Sequence, residues 1–454
     1  MEPVKINDLV SAVHGRAASF GERELQDVST DSRTVREGEV FFAIVGERLN
    51  GHEYVSAALE RGAPAAVVSE ERPEWPSDRV IRVADTTAAL LDFAAWYRRR
   101  FDVRPVAVTG SVGKTTTKEM VAAVLSADGP TLKTQGNQNN EIGLPKTLLS
   151  LTRKDKYAVI EMGMTDLHQI DALSLATRPE IGLITNIGVS HLETLKTREN
   201  ILRAKLEVCE GIPDGGTLIV NKDNDLLGTV RTDWLRLLTY GMRSEDADVR
   251  VLRYQEELAR TTLTIRWEGR EYEAAIPCIG EHNVYNAAAA FAAGVRMGIP
   301  AETVIPALMN YAPTGMRQRM VQFHNMLIVE DCYNAAPDSM RAALRTLSHL
   351  GTGRKIAVFA DMLELGAVSE ESHAALGEWT AASGISLLLC YGPRTEKTVE
   401  AARRAGMQDA YHFDTKEELT AFLTAHAREG DSILVKGSRS MALEDVLHNF
   451  YAAK

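Results

Sequence analysis

The stretch VAVTGSVGKTTTKEMV, residues 106–121, decides how the rest of the chain is read. An apolar run, Val106 to Val108, enters a turn of small residues (Gly110, Ser111, Gly113), and a helical pattern follows from Lys114. The common phosphate loop G-x-x-x-x-G-K-[ST] would place glycine at 108, where this chain has Val108. The cradle does not need that spacing. Strand, glycine turn and helix in this order aim backbone N–H groups and the positive helix end at one point, where an anion binds favourably. Lys114 adds a mobile charge, and the Thr115 hydroxyl suits Mg²⁺. The stretch reads as a nucleotide-phosphate loop rather than an ordinary glycine-rich turn.

The surrounding pattern supplies the sheet this loop needs. After Pro105, the runs VAVT, YAVIEMG (157–163) and IGLITNIG (181–188) each give way to a loop and a helical stretch, as in a parallel sheet. A short β-rich insertion follows: in TTLTIRWEGREYEAAI (261–276), Leu263, Ile265 and Trp267 alternate with polar residues and Glu268 to Arg270 supply a turn. From about Pro313, MLIVED, KIAVFA, ISLLLCYG and DSILVKG alternate with helical segments, a second doubly wound unit. Residues 1 to about 100 mix short strands and helices. They end in DTTAALLDFAAWYRRR, where Asp85 can cap a closing helix on which Leu90, Phe93, Ala94 and Tyr97 share a face. Arg98, Arg99 and Arg100 read as cations at that helix's C-terminus rather than a ligand patch.

At 454 residues the chain has room for roughly three domains of about 150 residues. Hydrophobic residues make up 45% of it, and no apolar run approaches the ~20 residues needed to span a bilayer. The N-terminus lacks a charged-then-apolar export pattern, and Cys209, Cys278, Cys332 and Cys390 show no C-x-x-C spacing, so a cytoplasmic protein in a reducing compartment is expected. A net charge of −11 argues against nucleic-acid binding, which relies on many phosphate contacts. A small anionic ligand can still be met locally.

Three further residues gather around the loop. Glu161 follows YAVI and His191 follows ITNIGVS, so both leave the C-terminal edge of the sheet from which the loop springs. A carboxylate and an imidazole there can converge on a phosphate-bound metal. In RENILRAKLEVCEG, Lys205 shares the helical stripe of Ile201, Ala204 and Val208. Periodicity leaves two readings of it open. The ammonium can snorkel to water, or burial can favour the neutral amine, which reacts with CO₂ to give an anionic carbamate.

TGSVGKTTT, GNQNNEIGLP, EMG, TNIGVSHLE, AKLE and GEHNVYNAAAA, in this order, closely resemble the Mur ligases, the ATP-dependent amide-forming enzymes of peptidoglycan synthesis, over essentially the whole chain. DSR (31–33), DCYNAAPDSM (331–340), DMLELG (361–366) and VKGSRSM (435–441) resemble the member that adds D-alanyl-D-alanine to UDP-N-acetylmuramoyl-tripeptide. The member adding the third residue carries a His-Pro signature where this chain has Asn334 to Pro337.

The resemblance implies three domains: a small mixed α/β UDP-substrate domain over 1–103, a central P-loop ATPase-like parallel sheet with helices over 104–313, and a Rossmann-like domain over 314–454. It implies ATP phosphates on Gly110, Ser111, Val112, Gly113, Lys114, Thr115 and Thr116, and two Mg²⁺ ions served by Thr115, Glu161, His191 and a carbamylated Lys205. Asn283 and Asn286 match contacts to the adenine end of ATP, with helix caps as the alternative. Arg317 and Asp331 match residues that reach ATP across the cleft. Ser32 and Arg33 match uridine-diphosphate contacts, with a surface turn as the alternative. Asn334, Lys436 and Arg439 are candidates for the dipeptide; the last two would meet its carboxylate or simply hold the last strand. A monomer is expected.

Two motifs depart from the family pattern. NGHEY (50–54) stands for D-G-H-x-F, and HQI (168–170) for the G-E-I that follows E-M-G. The implied reaction moves the γ-phosphoryl group of ATP to the tripeptide carboxylate, and the dipeptide amine then displaces phosphate. The rivals are a sibling or folylpolyglutamate-type ligase with another acceptor, and a nucleotide switch. The switch's guanine-reading N-K-x-D nearly occurs at Asn221, Lys222 and Asp223, but Asn224 fills the fourth position.

Overall fold

The computed structural model describes residues 1–454 except Glu47, Leu258, Ala259, Pro313, Thr314 and Thr352. Three α/β units follow one another, each built on its own sheet. The expected boundary between 313 and 314 lies outside the described residues.

The first sheet is parallel throughout: β1 (Asp27–Ser29), β2 (Glu39–Phe42), β3 (Ala66–Val68) and β4 (Val80–Arg82), in that order. The closing helix α1 (Thr86–Arg98) begins where Asp85 accepts the N–H groups of Thr87 and Ala88. Leu90, Phe93, Ala94 and Tyr97 are buried along the expected face. The Tyr97 hydroxyl crosses into the second unit: it donates to the Leu151 carbonyl at 2.8 Å and accepts the Glu2 N–H at 2.7 Å. Arg98 does more than offset its own helix end. Its guanidinium donates to the carbonyls of Thr177 (2.7 Å) and Val103 (3.1 Å), fastening the first unit to the second. Tyr97→Phe leaves the buried Leu151 carbonyl without its partner and is expected to lower stability by about 1–3 kcal/mol, read as a lower urea midpoint; an unchanged midpoint would show that this contact pins nothing.

The second sheet has nine strands, β5 (Arg104–Thr109), β6 (Thr131–Lys133), β7 (Tyr157–Glu161), β8 (Ile181–Ile184), β9 (Thr217–Asn221), β10 (Arg236–Gly241), β11 (Val249–Glu257), β12 (Arg260–Trp267) and β13 (Arg270–Ile276). Their order is β13-β12-β11-β10-β9-β8-β5-β7-β6. β5 therefore lies between β7 and β8, at the point where the chain switches from building on one side to the other, which is where open α/β sheets bind ligands. Its Val106, Ala107 and Val108 are buried, as a strand covered on both faces requires. The β-rich stretch continues this sheet: β11 pairs β10 in parallel at its edge, and β12 and β13 follow as antiparallel strands. Glu268 and Gly269 make the hairpin turn with φ of 49° and 75°, the positive pair that matches strand twist.

Helix α2 (Lys114–Ser126) packs on α3 (Glu281–Arg296), whose alanine run 287–290 permits a close approach. A Cβ on Gly294 would lie 2.5 Å from Val124. The third sheet, β14 (Arg319–Phe323), β15 (Met326–Asp331), β16 (Lys355–Ala360), β17 (Leu387–Tyr391), β18 (Ala410–Phe413) and β19 (Ser432–Lys436), runs β14-β15-β19-β16-β17-β18 and is parallel except for β14. The four cysteines are buried and free. Among the described residues no helix is long and apolar enough to cross a membrane.

Candidate active site

The loop after β5 shows why the first glycine of the common motif is dispensable. Val108 is still inside the strand, in register with Leu183 and Glu161, and the turn begins only at Gly110. Gly110 (φ 144°) and Gly113 (φ 83°) are the positions that need glycine. A Cβ would lie 1.9 Å from Thr185 Oγ1 at the first and 2.8 Å from Asn286 Oδ1 at the second. The segment after β8 clamps the loop. Val112 N–H donates to Asn186 Oδ1 (2.9 Å), Ser111 N–H to Asn186 O (3.0 Å), and Gly188 N–H to Ser111 Oγ (2.9 Å). Gly113 precedes α2 and no side chain caps the helix, so its first-turn N–H groups stay free for an anion.

Lys114 folds back over this loop, donating to Gly110 O at 2.9 Å. Burial and the Arg317 charge lower its pKa, opposed by Glu161 and Glu364. Thr115 donates to Glu161 Oε2 (2.9 Å), and Asn139 donates to Glu161 Oε1 (2.9 Å). Lys118, fully buried, places its ammonium 3.8 Å from the same carboxylate and donates to Thr134 O at 2.7 Å. Thr116 is half-buried beside this network.

His191 begins a short helix with φ 65°, and its Nδ1 lies 3.1 Å from Glu364 of the third unit. Burial lowers its pKa, as do the charges of Lys205 and Lys114, against the raising effect of Glu364. The Glu364 carboxyl is held below the usual range by His191 and Lys114. Lys205 settles on the stripe read from sequence, with Ile201, Ala204 and Val208 all buried. It does not snorkel: its exposure is 0%, its Nζ finds no hydrogen-bond partner among the described residues, and burial together with the Lys114 charge drives its pKa well down. The Lys114 charge acts on both His191 and Lys205, and Glu161 acts on Lys114.

Among the described residues no three His, Cys, Asp or Glu side chains form a metal cage. The Glu161 carboxylate, hydrogen-bonded to the Thr115 hydroxyl beside the phosphate loop, instead fits Mg²⁺, which takes one or two carboxylates and completes its shell with phosphate and water. An amine kept neutral by burial and without a partner among the described residues is the form that reacts with CO₂, so Lys205 fits a carbamate.

Asn283 and Asn286 form a second network. Asn283 donates to Gln318 Oε1 (2.9 Å) and Ile279 O (2.8 Å), while Asn286 donates to Asn283 and accepts from Thr117 (3.0 Å). Neither caps α3, so the cap alternative is set aside. Arg317 stacks on the Tyr333 ring at 3.8 Å, and Asp331 accepts the Gln318 N–H and the Lys436 ammonium (2.7 Å). Lys436, buried, also donates to the Asn334 carbonyl. Its charge is spent holding β15 to β19, the structural alternative. Arg439 is exposed and pairs with Glu444, and the Asn334 side chain accepts the Ala335 N–H. Ser32 is buried while Arg33 is exposed and pairs with Asp31, whose carboxyl it holds at about 2.

The near match to N-K-x-D does not read a base. The fourth position, where that motif sets a base-reading carboxylate, is Asn224, and its side-chain amide donates to Ile187 O (3.1 Å) and accepts the Leu227 N–H (3.1 Å). Both departures from the family pattern are internal braces. Asn50 orients the buried His52, and Glu207 accepts the N–H groups of His168 and Ile170. Asn139, Asn186, Lys118, Gln318 and Glu364 were missed as individuals. All but Gln318 lie inside quoted stretches, Asn139 in GNQNNEIGLP, Asn186 in TNIGVSHLE, Lys118 in VAVTGSVGKTTTKEMV and Glu364 in DMLELG, which is where a signal existed.

Residues 24–98 match the Mur ligase family catalytic domain, 108–294 the Mur ligase middle domain, and 316–439 the Mur ligase glutamate ligase domain. The UDP-N-acetylmuramoyl-tripeptide--D-alanyl-D-alanine ligase of Bacillus subtilis (strain 168) is 37% identical over 448 residues, 97% of each chain. That of Escherichia coli (strain K12) is 34% identical over 459 residues, 98% of each. Crystal structures of MurF from Acinetobacter baumannii (TM-score 0.93, 30% identity, 100% of this chain and 99% of that one) and of MurF ligase from Thermotoga maritima in complex with ADP (0.85, 27%, 94% and 97%) share the fold.

Proposed function

This chain belongs to the Mur ligase family, and on that premise we propose that it joins D-alanyl-D-alanine to UDP-N-acetylmuramoyl-tripeptide at the expense of ATP, as a step of peptidoglycan precursor synthesis. It is an ATP-dependent ligase forming a C–N bond. The observation that carries the reading is the uncapped glycine loop with Thr115 hydrogen-bonded to Glu161 and the partnerless Lys205 amine close by. We assign the UDP substrate to residues 1–103 with Ser32 and Arg33, ATP to 104–313 with Asn283 and Asn286, and closure over ATP and dipeptide to 314–454 through Arg317, Asp331, Asn334 and Arg439. A cytoplasmic monomer is part of the proposal.

A carboxylate at neutral pH does not acylate an amine, so it must first gain a leaving group. The backbone N–H groups of 110–116 and the Lys114 ammonium would hold the ATP phosphates and meet the charge that develops as the γ-phosphoryl group moves to the tripeptide carboxylate. Mg²⁺, when bound, would spread that charge; Thr115, Glu161 and His191 would hold it, with the Lys205 carbamate as a further anionic oxygen ligand. The dipeptide amine then attacks the acyl phosphate, the tetrahedral carbon collapses, and phosphate leaves. The third unit, reaching over the loop with Arg317 and Glu364, would keep water from that intermediate.

ATP turnover is the test. ADP release is expected only when UDP-N-acetylmuramoyl-tripeptide and D-alanyl-D-alanine are both present, with diaminopimelate and lysine forms of the tripeptide assayed side by side. Hydrolysis that ignores both substrates would overturn the ligase assignment, and turnover with a free amino acid in place of the dipeptide would move it to a sibling.

A further inference from the structure

We infer that Glu364 is the residue that receives the ammonium group of the incoming dipeptide. The inference rests on the ligase reading above and adds to it the group that delivers the second substrate.

The argument begins with the sign of the site. Lys114 and Arg317 bring two cationic side chains to the phosphate loop, and Arg317 acts on Lys114 as a like charge. Such a field suits phosphates and repels an ammonium ion. An amine acceptor therefore needs an anion at the cleft mouth, on the side from which it enters. Glu161 cannot serve: it is 2% exposed, and both its oxygens are engaged by Thr115 and Asn139. Glu364 comes from the opposite unit, ends 3.1 Å from His191, and keeps 64% of its side chain exposed. Its carboxylate and the Lys114 ammonium, which rests on the phosphate loop at Gly110 O, act on each other's charge.

Its loop is built to hold it there. Glu364 takes φ 63°, uncommon for a residue with a Cβ, directly after β16 and its short exit segment. That segment is fastened on both sides: Met362 N–H donates to His373 Nε2 (3.0 Å), Leu363 N–H donates to Ser438 Oγ (3.0 Å), and Asp361 accepts the N–H groups of Arg394 and Thr395. Ser438 precedes Arg439, so the carboxylate offered to the amine and the exposed guanidinium proposed for the dipeptide's carboxylate sit on loops joined by a hydrogen bond. A zwitterionic acceptor meets one charge of each sign.

Glu364→Gln and Glu364→Ala, with Glu364→Asp as the conservative variant, test the inference. The KM for D-alanyl-D-alanine is expected to rise about 10–100-fold in the first two, the loss expected for one charge-assisted contact, while KM values for ATP and UDP-N-acetylmuramoyl-tripeptide stay near wild type. Asp should recover part of the dipeptide affinity. Calorimetric titration of D-alanyl-D-alanine into enzyme bearing the UDP-tripeptide and a non-hydrolysable ATP analogue gives the same readout without turnover. A fall in kcat with unchanged dipeptide KM and unchanged dipeptide binding would overturn it. Wild-type enzyme that fails to use the dipeptide at all would instead overturn the ligase reading.

Discussion

Lys114→Met is expected to lower kcat by about 10²–10³-fold, the loss found when one preorganised donor is taken from a developing anion, and to leave the thermal midpoint unchanged or slightly raised. The two halves of that expectation have one cause. In the folded protein the Lys114 ammonium rests on the carbonyls of Gly110 (2.9 Å) and Ser111 (3.5 Å) and has no carboxylate within ion-pair distance among the described residues. Burial and Arg317 weigh against its charge. Folding therefore gains little from this cation, whereas a transferring phosphoryl group would gain a great deal. Steady-state kinetics beside a melting curve measures both. A variant that loses turnover only in proportion to lost folded protein would remove Lys114 from the chemistry.

Lys205→Ala is expected to be nearly inactive and to regain turnover when formate, acetate or propionate is added, because a small carboxylate can replace the carbamate oxygens. Lys205→Met should stay inactive but become more stable than wild type in CO₂-depleted buffer, by about 1–3 kcal/mol, since it removes a buried donor with no acceptor. The pH dependence has a definite sign. The folded pKa lies well below 10.5, so between that lowered value and 10.5 the unfolded chain binds more protons than the native one, and stability rises with pH across the window. The methionine variant should lose this slope. Equal slopes would refute the lowered Lys205 pKa, and turnover in the alanine variant without added acid would refute the carbamate.

Much of the site was legible because its parts are local. Asp85 announces a helix start, and the 3.6-residue stripe through Ile201, Lys205 and Val208 announces an inward lysine; both stand where the pattern puts them. Lys436 and Arg439 were not separable, being three residues apart in one motif. The register of β15 with β19 buries the first beside Asp331 and leaves the second in solvent. The β-rich stretch was legible as hairpins, but a strand's period does not say which sheet it joins, and here it extends the central one.

The succession of strands and helices along the chain, the glycine turn and the face on which each candidate residue lies are local properties, since φ/ψ preference and side-chain period act within a few residues. Only tertiary structure decided what those faces meet. Val112 against Asn186, Glu161 against Lys118 and His191 against Glu364 are contacts between positions 43 to 173 apart, set by strand order and by how the third unit seats on the second. Such pairings depend on the summed packing of whole sheets, and no local stretch of chain encodes that sum.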